Sequence, residues 1–172
     1  MPKKRLCAAL AALVLTLTGT AAAQGPASIA GLPSNFQWSS SGVLISPQPD
    51  ASHAVVSVKD PSVVRYKGQW LVYATTANTS GGWSLQYTHF SDWSQAPSAP
   101  RYFLDQSAIG TGYRAAPQLF YFAPQKKWYL VYQTGLPSYS TTDDPTKPQT
   151  WSAPKNFQDT MPDTRGTSGA RQ

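Results

Sequence analysis

Val56-Ser57-Val58-Lys59-Asp60-Pro61-Ser62-Val63-Val64-Arg65-Tyr66 reads as a β-strand with a carboxylate set inside it. Successive strand side chains point to opposite faces. Plain alternation therefore puts Val56, Val58, Asp60 and Ser62 on one face and Ser57, Lys59, Pro61 and Val63 on the other. An ionised aspartate among valines is costly to bury without a partner. Pro61 withholds a ladder donor, so the strand starts or bends there. Two readings of these residues stay open: an Asp-Pro turn opening a strand, or a catalytic carboxylate at a strand end, aimed into a pocket.

Outward from this stretch, one plan occurs twice. Strand signals begin near Phe36-Gln37-Trp38. The first unit runs through Ala54 to Tyr66, a Lys67-Gly68 turn, Trp70 to Thr75, a loop from Asn78 to Gly82, and Trp83 to Tyr87. After a turn at Ser91-Asp92-Trp93, the second unit runs through Tyr113 to Tyr121, a turn from Pro124 to Lys127, Trp128 to Thr134, a loop from Gly135 to Ser140, and Thr150-Trp151. Asp60-Pro61 aligns with Ala116-Pro117, and Val72-Tyr73 with Val131-Tyr132, which implies a second hairpin turn three residues longer than the first. A repeated strand–turn–strand–loop–strand unit is the signature of propeller blades. Two blades do not close a ring, since at least four are usual. The chain therefore reads as all-β and as roughly the first two blades of a propeller.

Composition agrees. With 15 Pro, 12 Gly and 12% aromatics, and no sustained helical periodicity after the first residues, it is that of a secreted all-β protein. Residues 1–23 have the form of a secretory signal: Lys3-Lys4-Arg5, an apolar run from Leu6 to Leu17, and small residues ending Ala21-Ala22-Ala23. The run is too short for a membrane span, so no membrane partner is expected. Cys7, the single cysteine, leaves with that segment, and no disulfide follows. The formal charge of +6 overstates basicity, because three of the 14 basic residues lie in the same segment. Lys126-Lys127 is the one basic pair left, without the clustered stripe a nucleic-acid surface needs. His53 and His89 lack partners at metal spacing and read as structural; neither metal nor cofactor is expected. Asn78-Thr79-Ser80 fits a glycosylation acceptor in a eukaryotic secretory route.

The runs Asp60 to Tyr66, Val72 to Tyr87, Gly110 to Gln118 and Trp128 to Asp144 resemble the family 62 glycoside hydrolases over roughly Leu32 to Pro162. That resemblance implies a five-bladed β-propeller, a pocket at its axis, and a secreted, monomeric α-L-arabinofuranosidase that removes arabinose branches from arabinoxylan. It also implies inverting hydrolysis, in which one carboxylate activates water and a protonated carboxyl on the other side of the sugar protonates the leaving oxygen. Asp60 falls on the general-base position. Lys59 falls on a pocket position, where it would bind arabinose hydroxyls and help keep Asp60 ionised. By their places on the blades, Trp83 is a sugar-stacking candidate, Tyr113 and Arg114 are contacts ahead of the second inner strand, and Tyr139 is a lining residue of the xylan groove. Asp143-Asp144-Pro145 reads as a turn.

The sequence also departs from the pattern. The resemblance implies a glutamate general acid and a further pocket aspartate on later blades. All eight acidic residues here are aspartates. After a flexible leader at 24–33 and a partial catalytic domain at 34–162, residues 163–172 have the polar composition of a disordered tail. Such a break suggests a shifted frame, a wrong splice site or a truncated gene. The expectation is a fragment that is inactive by itself. The alternative is a non-catalytic xylan-binding module, which needs only aromatic platforms and polar contacts.

Overall fold

The computed structural model describes residues 35–160. The expected signal segment 1–23, leader 24–33 and tail 163–172 lie outside the described residues. The chain divides into a unit of residues 1–39 and a unit from Ser40 onward. In the first, Phe36 stacks on Trp38 at 5.8 Å without forming a strand, contrary to the expectation there. The second holds two four-stranded antiparallel sheets. One runs in the order β1 (Val55–Tyr66), β2 (Gln69–Asn78), β3 (Trp83–Phe90), β4 (Tyr102–Phe103). The other runs β5 (Ala115–Phe122), β6 (Lys127–Gln133), β7 (Pro137–Thr142), β8 (Lys155–Asn156). The fold is all-β; among the described residues the helical pieces are three-residue 3-10 turns, and no helix is long and apolar enough to cross a membrane.

Turn chemistry sets the registers. Tyr66 pairs with Gln69, leaving Lys67 and Gly68 as a two-residue loop with φ of 49° and 77°. Positive φ at both central residues matches the right-handed twist of the flanking strands. In the second sheet Phe122 pairs with Lys127, and the four residues between them close with Lys126 at φ 52°. This hairpin is two residues longer than the first, not three. Ser62 pairs with Tyr73 and Gln118 with Val131, so Tyr73 corresponds to Val131 rather than Tyr132.

The Asp-Pro motif proves to be a bulge inside β1. Lys59 pairs with Thr75 and Ser62 with Tyr73, so Asp60 and Pro61 together oppose Ala74. A bulge breaks strict alternation. Val58 and Ser62, expected on one face, pair with Thr76 and Tyr73 and lie on opposite faces. Ala116-Pro117 makes the same bulge in β5, between Ala115 and Gln118. Asp60 at φ 51° and Ala116 at φ 52° share the left-handed conformation, which ordinary L-residues adopt at a cost.

The sheets pack face to face over one core, with Leu71, Tyr73, Leu85 and Tyr87 against Leu119, Leu130, Tyr132 and Trp151. Two hydrogen bonds join β5 to the first sheet: Ala116 N–H donates to Thr75 Oγ1 of β2 at 2.8 Å and Leu119 N–H to Ser62 Oγ of β1 at 2.9 Å. The Trp151 indole N–H donates to the Tyr73 hydroxyl, which donates to the Pro145 carbonyl at 2.5 Å. On the other face of the first sheet, Val72, Phe90, Ala96 and Ala99 pack with Leu44, Ile45, Trp70 and Trp93. The outer face of the second sheet carries Phe120, Phe122, Tyr129, Tyr139 and Phe157 around a cavity of about 360 Å³. Phe157 is 56% exposed there.

Candidate functional site

Asp60 is solvent-exposed, not buried among valines. The left-handed bulge turns its carboxylate off the ladder, on the edge strand of the first sheet that lies against β5. Among the described residues it has no ion-pair partner. A carboxylate held this way can accept a proton from a bound water without first breaking a salt bridge. Ala116 holds the matching place in the second unit and offers no chemistry.

Lys59, the next residue, is directed elsewhere. Its ammonium sits 3.5 Å from the centroid of the Trp83 ring, away from Asp60, as strand alternation places it. Trp83 meets Tyr113 edge-on at 6.5 Å, and the Tyr113 hydroxyl donates to Gln133 Oε1 at 3.0 Å. Three candidates that are distant in sequence thus form one line across the two sheets. Register explains it: Ser57, Ala77 and Trp83 lie side by side, two positions along each strand from the Lys59, Thr75 and Leu85 row. Lys59 occupies one face of the indole, so a sugar could stack on no more than the other. Trp83 and Tyr113 line a cavity of about 380 Å³ with Asn78, Gly82, His53 and Asp105.

Arg114 is not aimed at that cavity's chemistry. Its guanidinium donates to the main-chain carbonyls of Ile109 and Tyr113 at 3.1 and 2.9 Å, and its own N–H donates to the Trp83 carbonyl at 3.2 Å. It shapes the 109–114 loop and anchors the start of β3. Tyr139 is in strand β7, not a loop, stacked on Tyr129 at 5.4 Å and against Phe157 at 4.8 Å. The structure does not bring it to Lys59, Trp83 and Tyr113. Asp143-Asp144-Pro145 is a turn: Asp144 accepts from the N–H and hydroxyl of Thr146, and Asp143 pairs with Lys127 at 2.7 Å. Asn78 closes its own loop, its Oδ1 accepting from Ser80 N, Ser80 Oγ and Gly82 N. A Cβ at Gly82 would stand 2.7 Å from Asn78 Nδ2, so a larger residue there would push the Asn78 side chain out of its loop.

One constellation escaped sequence reading. His53 Nδ1 lies 2.8 Å from Asp50 Oδ1, and its Nε2 lies 3.2 Å from Asp105 Oδ2. Its ring stacks on Phe103 at 3.8 Å. The spacing Asp50-x-x-His53 was a visible signal; Asp105 is too remote in sequence to be paired with it by spacing. Among the described residues no group of His, Cys, Asp or Glu is placed to hold a metal ion.

The sequence profile of glycosyl hydrolase family 62 matches residues 37–170, eight residues beyond the Pro162 at which the resemblance was read to stop. The chain belongs to glycosyl hydrolase family 62. It is 41% identical over 128 residues to alpha-L-arabinofuranosidase C of Cellvibrio japonicus, across 74% of this chain and 19% of that protein. Among solved structures, the catalytic domain of the Coprinopsis cinerea family 62 α-L-arabinofuranosidase matches at 55% identity and TM-score 0.72, over 77% of this chain and 41% of that one. The Podospora anserina α-L-arabinofuranosidase in complex with cellotriose matches at 48% identity and TM-score 0.69, over 73% and 39%. A family 62 hydrolase in complex with xylotriose matches at 45% identity and TM-score 0.65, over 68% and 35%. The chain therefore spans about two-fifths of its family 62 structural relatives or less, and about one-fifth of the Cellvibrio protein.

Proposed function

We propose that this chain carries two blades of a β-propeller α-L-arabinofuranosidase that removes arabinose from arabinoxylan outside the cell, with Asp60 as general base. The observation that carries the reading is Asp60 itself, exposed on a left-handed bulge directly after Lys59, whose ammonium lies over the Trp83 ring. In inverting hydrolysis the base takes a proton from water as its oxygen attacks the anomeric carbon. A carboxylic acid on the opposite side, about 6.5–9.5 Å away, protonates the departing xylose oxygen. Asp60 suits the first role. No glutamate is present for the second, so the 172 residues are expected to release no arabinose by themselves. The extracellular location rests on the Lys3-Lys4-Arg5 start, the apolar run and Ala21-Ala22-Ala23.

The test is a chimera in which residues 40–160 replace the matching part of the Coprinopsis cinerea catalytic domain. It should release arabinose from wheat arabinoxylan, and Asp60→Asn should cut the rate by about 10²–10⁴-fold, the usual worth of one acid–base group. A folded chimera indifferent to Asp60→Asn would remove Asp60 from the chemistry. The second reading, a xylan-binding module, is favoured by the Trp83–Tyr113 pair beside an open cavity. It predicts retention of the 172-residue chain in xylan affinity gels that Trp83→Ala abolishes and Asp60→Asn leaves unchanged.

A further inference from the structure

We propose that His53 is a pH-operated clasp, which ties the segment leading into β1 to the turn at Leu104–Gln106 and so shapes the wall of the cavity beside Trp83. The geometry is a carboxylate–imidazole–carboxylate bridge across 52 residues. Asp50 approaches Nδ1 with both oxygens, at 2.8 and 2.9 Å, and Asp105 approaches Nε2 with both, at 3.2 and 3.3 Å. The ring lies flat on Phe103, with 15° between planes. A carboxylate at neutral pH can only accept, and a neutral imidazole carries a single N–H. Serving both carboxylates takes two N–H groups, and only the imidazolium has them. Losing one proton therefore leaves a nitrogen lone pair facing one of the two carboxylates, and that arm of the bridge must open or take up water.

The surroundings reinforce this. Asp50 and Asp105 are the charged groups that face the ring. Phe103 beneath it does not titrate, and among the described residues no lysine or arginine lines the cavity. Tyr113 is the other titratable group on that wall besides the two partners, and its hydroxyl is engaged by Gln133. Burial works against the charged ring. The hydrogen bond to Asp50, then the charge and hydrogen bond of Asp105, outweigh burial and hold the imidazole above its ordinary value. The His53 hydrogen bond, with that from the Ser52 N–H, holds Asp50 below the usual carboxylate range. The signs give a window. The His53 contribution is complete below the ordinary imidazole value and is lost as pH climbs through its raised one. The Asp50 contribution is present above the ordinary carboxylate value and is lost as pH falls through its lowered one.

The device does not depend on whether the chain binds sugar. The chain holds two histidines, so the imidazole C–H resonances of the whole 172-residue protein can be followed by NMR and assigned with His53→Gln. The His53 midpoint is expected above the ordinary imidazole value and should fall in Asp105→Asn. The thermal midpoint of the unmodified chain should decline above neutral pH, and that of His53→Gln should stay flat over the same range. A His53 midpoint at or below the ordinary value, or parallel thermal profiles for the two proteins, overturns the clasp. Should His53→Gln fail to fold, the titration of the unmodified chain and Asp105→Asn decides by itself.

Discussion

Asp60 and Ala116 occupy equivalent bulges with the same left-handed backbone, yet only one has a side chain suited to it. Aspartate tolerates this conformation because its short polar group can bond locally; alanine has no such relief. Ala116→Gly should therefore stabilise the protein by roughly 0.5–1 kcal/mol, once strain removed is set against the extra freedom glycine gains in the unfolded chain. Urea unfolding of the two proteins checks it, and a loss of stability would mean that the bulge is relaxed as it stands. Lys59 and Trp83 make a second residue-scale case. A double-mutant cycle with Lys59→Met and Trp83→Leu should give a coupling of about 0.5–2 kcal/mol, the range of a partly desolvated cation–π contact. Independent effects would show that the 3.5 Å approach adds nothing. At this scale the sequence marked Asp60 as a carboxylate within an apolar strand, and Lys59, Trp83 and Tyr113 by their positions in the family resemblance. It misplaced Ser62 and the residues after it in β1, because one inserted residue reverses every face that follows.

At the scale of elements, hydroxyl groups do the joining. The Thr75 hydroxyl accepts the Ala116 N–H at the bulge, and the Ser62 hydroxyl accepts the Leu119 N–H further along β5. Thr75→Val keeps the shape but strands a partly buried donor, so about 1–3 kcal/mol should be lost in thermal or urea unfolding. Tyr73→Phe should cost a similar amount, because Trp151 Nε1 loses its acceptor and the Pro145 carbonyl its donor. No measurable change in either variant would mean water replaces the lost partner. The hairpins at Lys67-Gly68 and Asn78–Gly82 were legible, since glycine and asparagine carry their turn preferences locally. Strand β7 was not. Gly135 and Pro137 are loop residues by type, and what makes Pro137–Thr142 a strand is pairing on both sides, with β6 and β8. Arg114 and His53 escaped for a related reason, as their partners are main-chain carbonyls and a remote aspartate.

For the whole molecule, the repeat predicted two like sheets, and the structure has them; the sequence could not assign them unequal surroundings. The first is covered on both faces, and the second leaves Phe120, Phe122 and Phe157 open to water. Such a contiguous apolar face favours association. The 172-residue chain should sediment as larger species as its concentration rises, and Phe122→Lys with Phe157→Lys should shift it toward monomer. An unmodified chain that stays monomeric at high concentration would contradict this. The stitching between the sheets also has a direction. Ser62 and Thr75 present their acceptors toward β5, and β5 supplies the N–H groups of Ala116 and Leu119. Gln118 and Gln133 hold the corresponding places in the second unit, with a bulged inner strand again beside them. Each unit is thus a plug on one side and a socket on the other, and stacking by this rule turns always in one sense, as the treads of a spiral stair do.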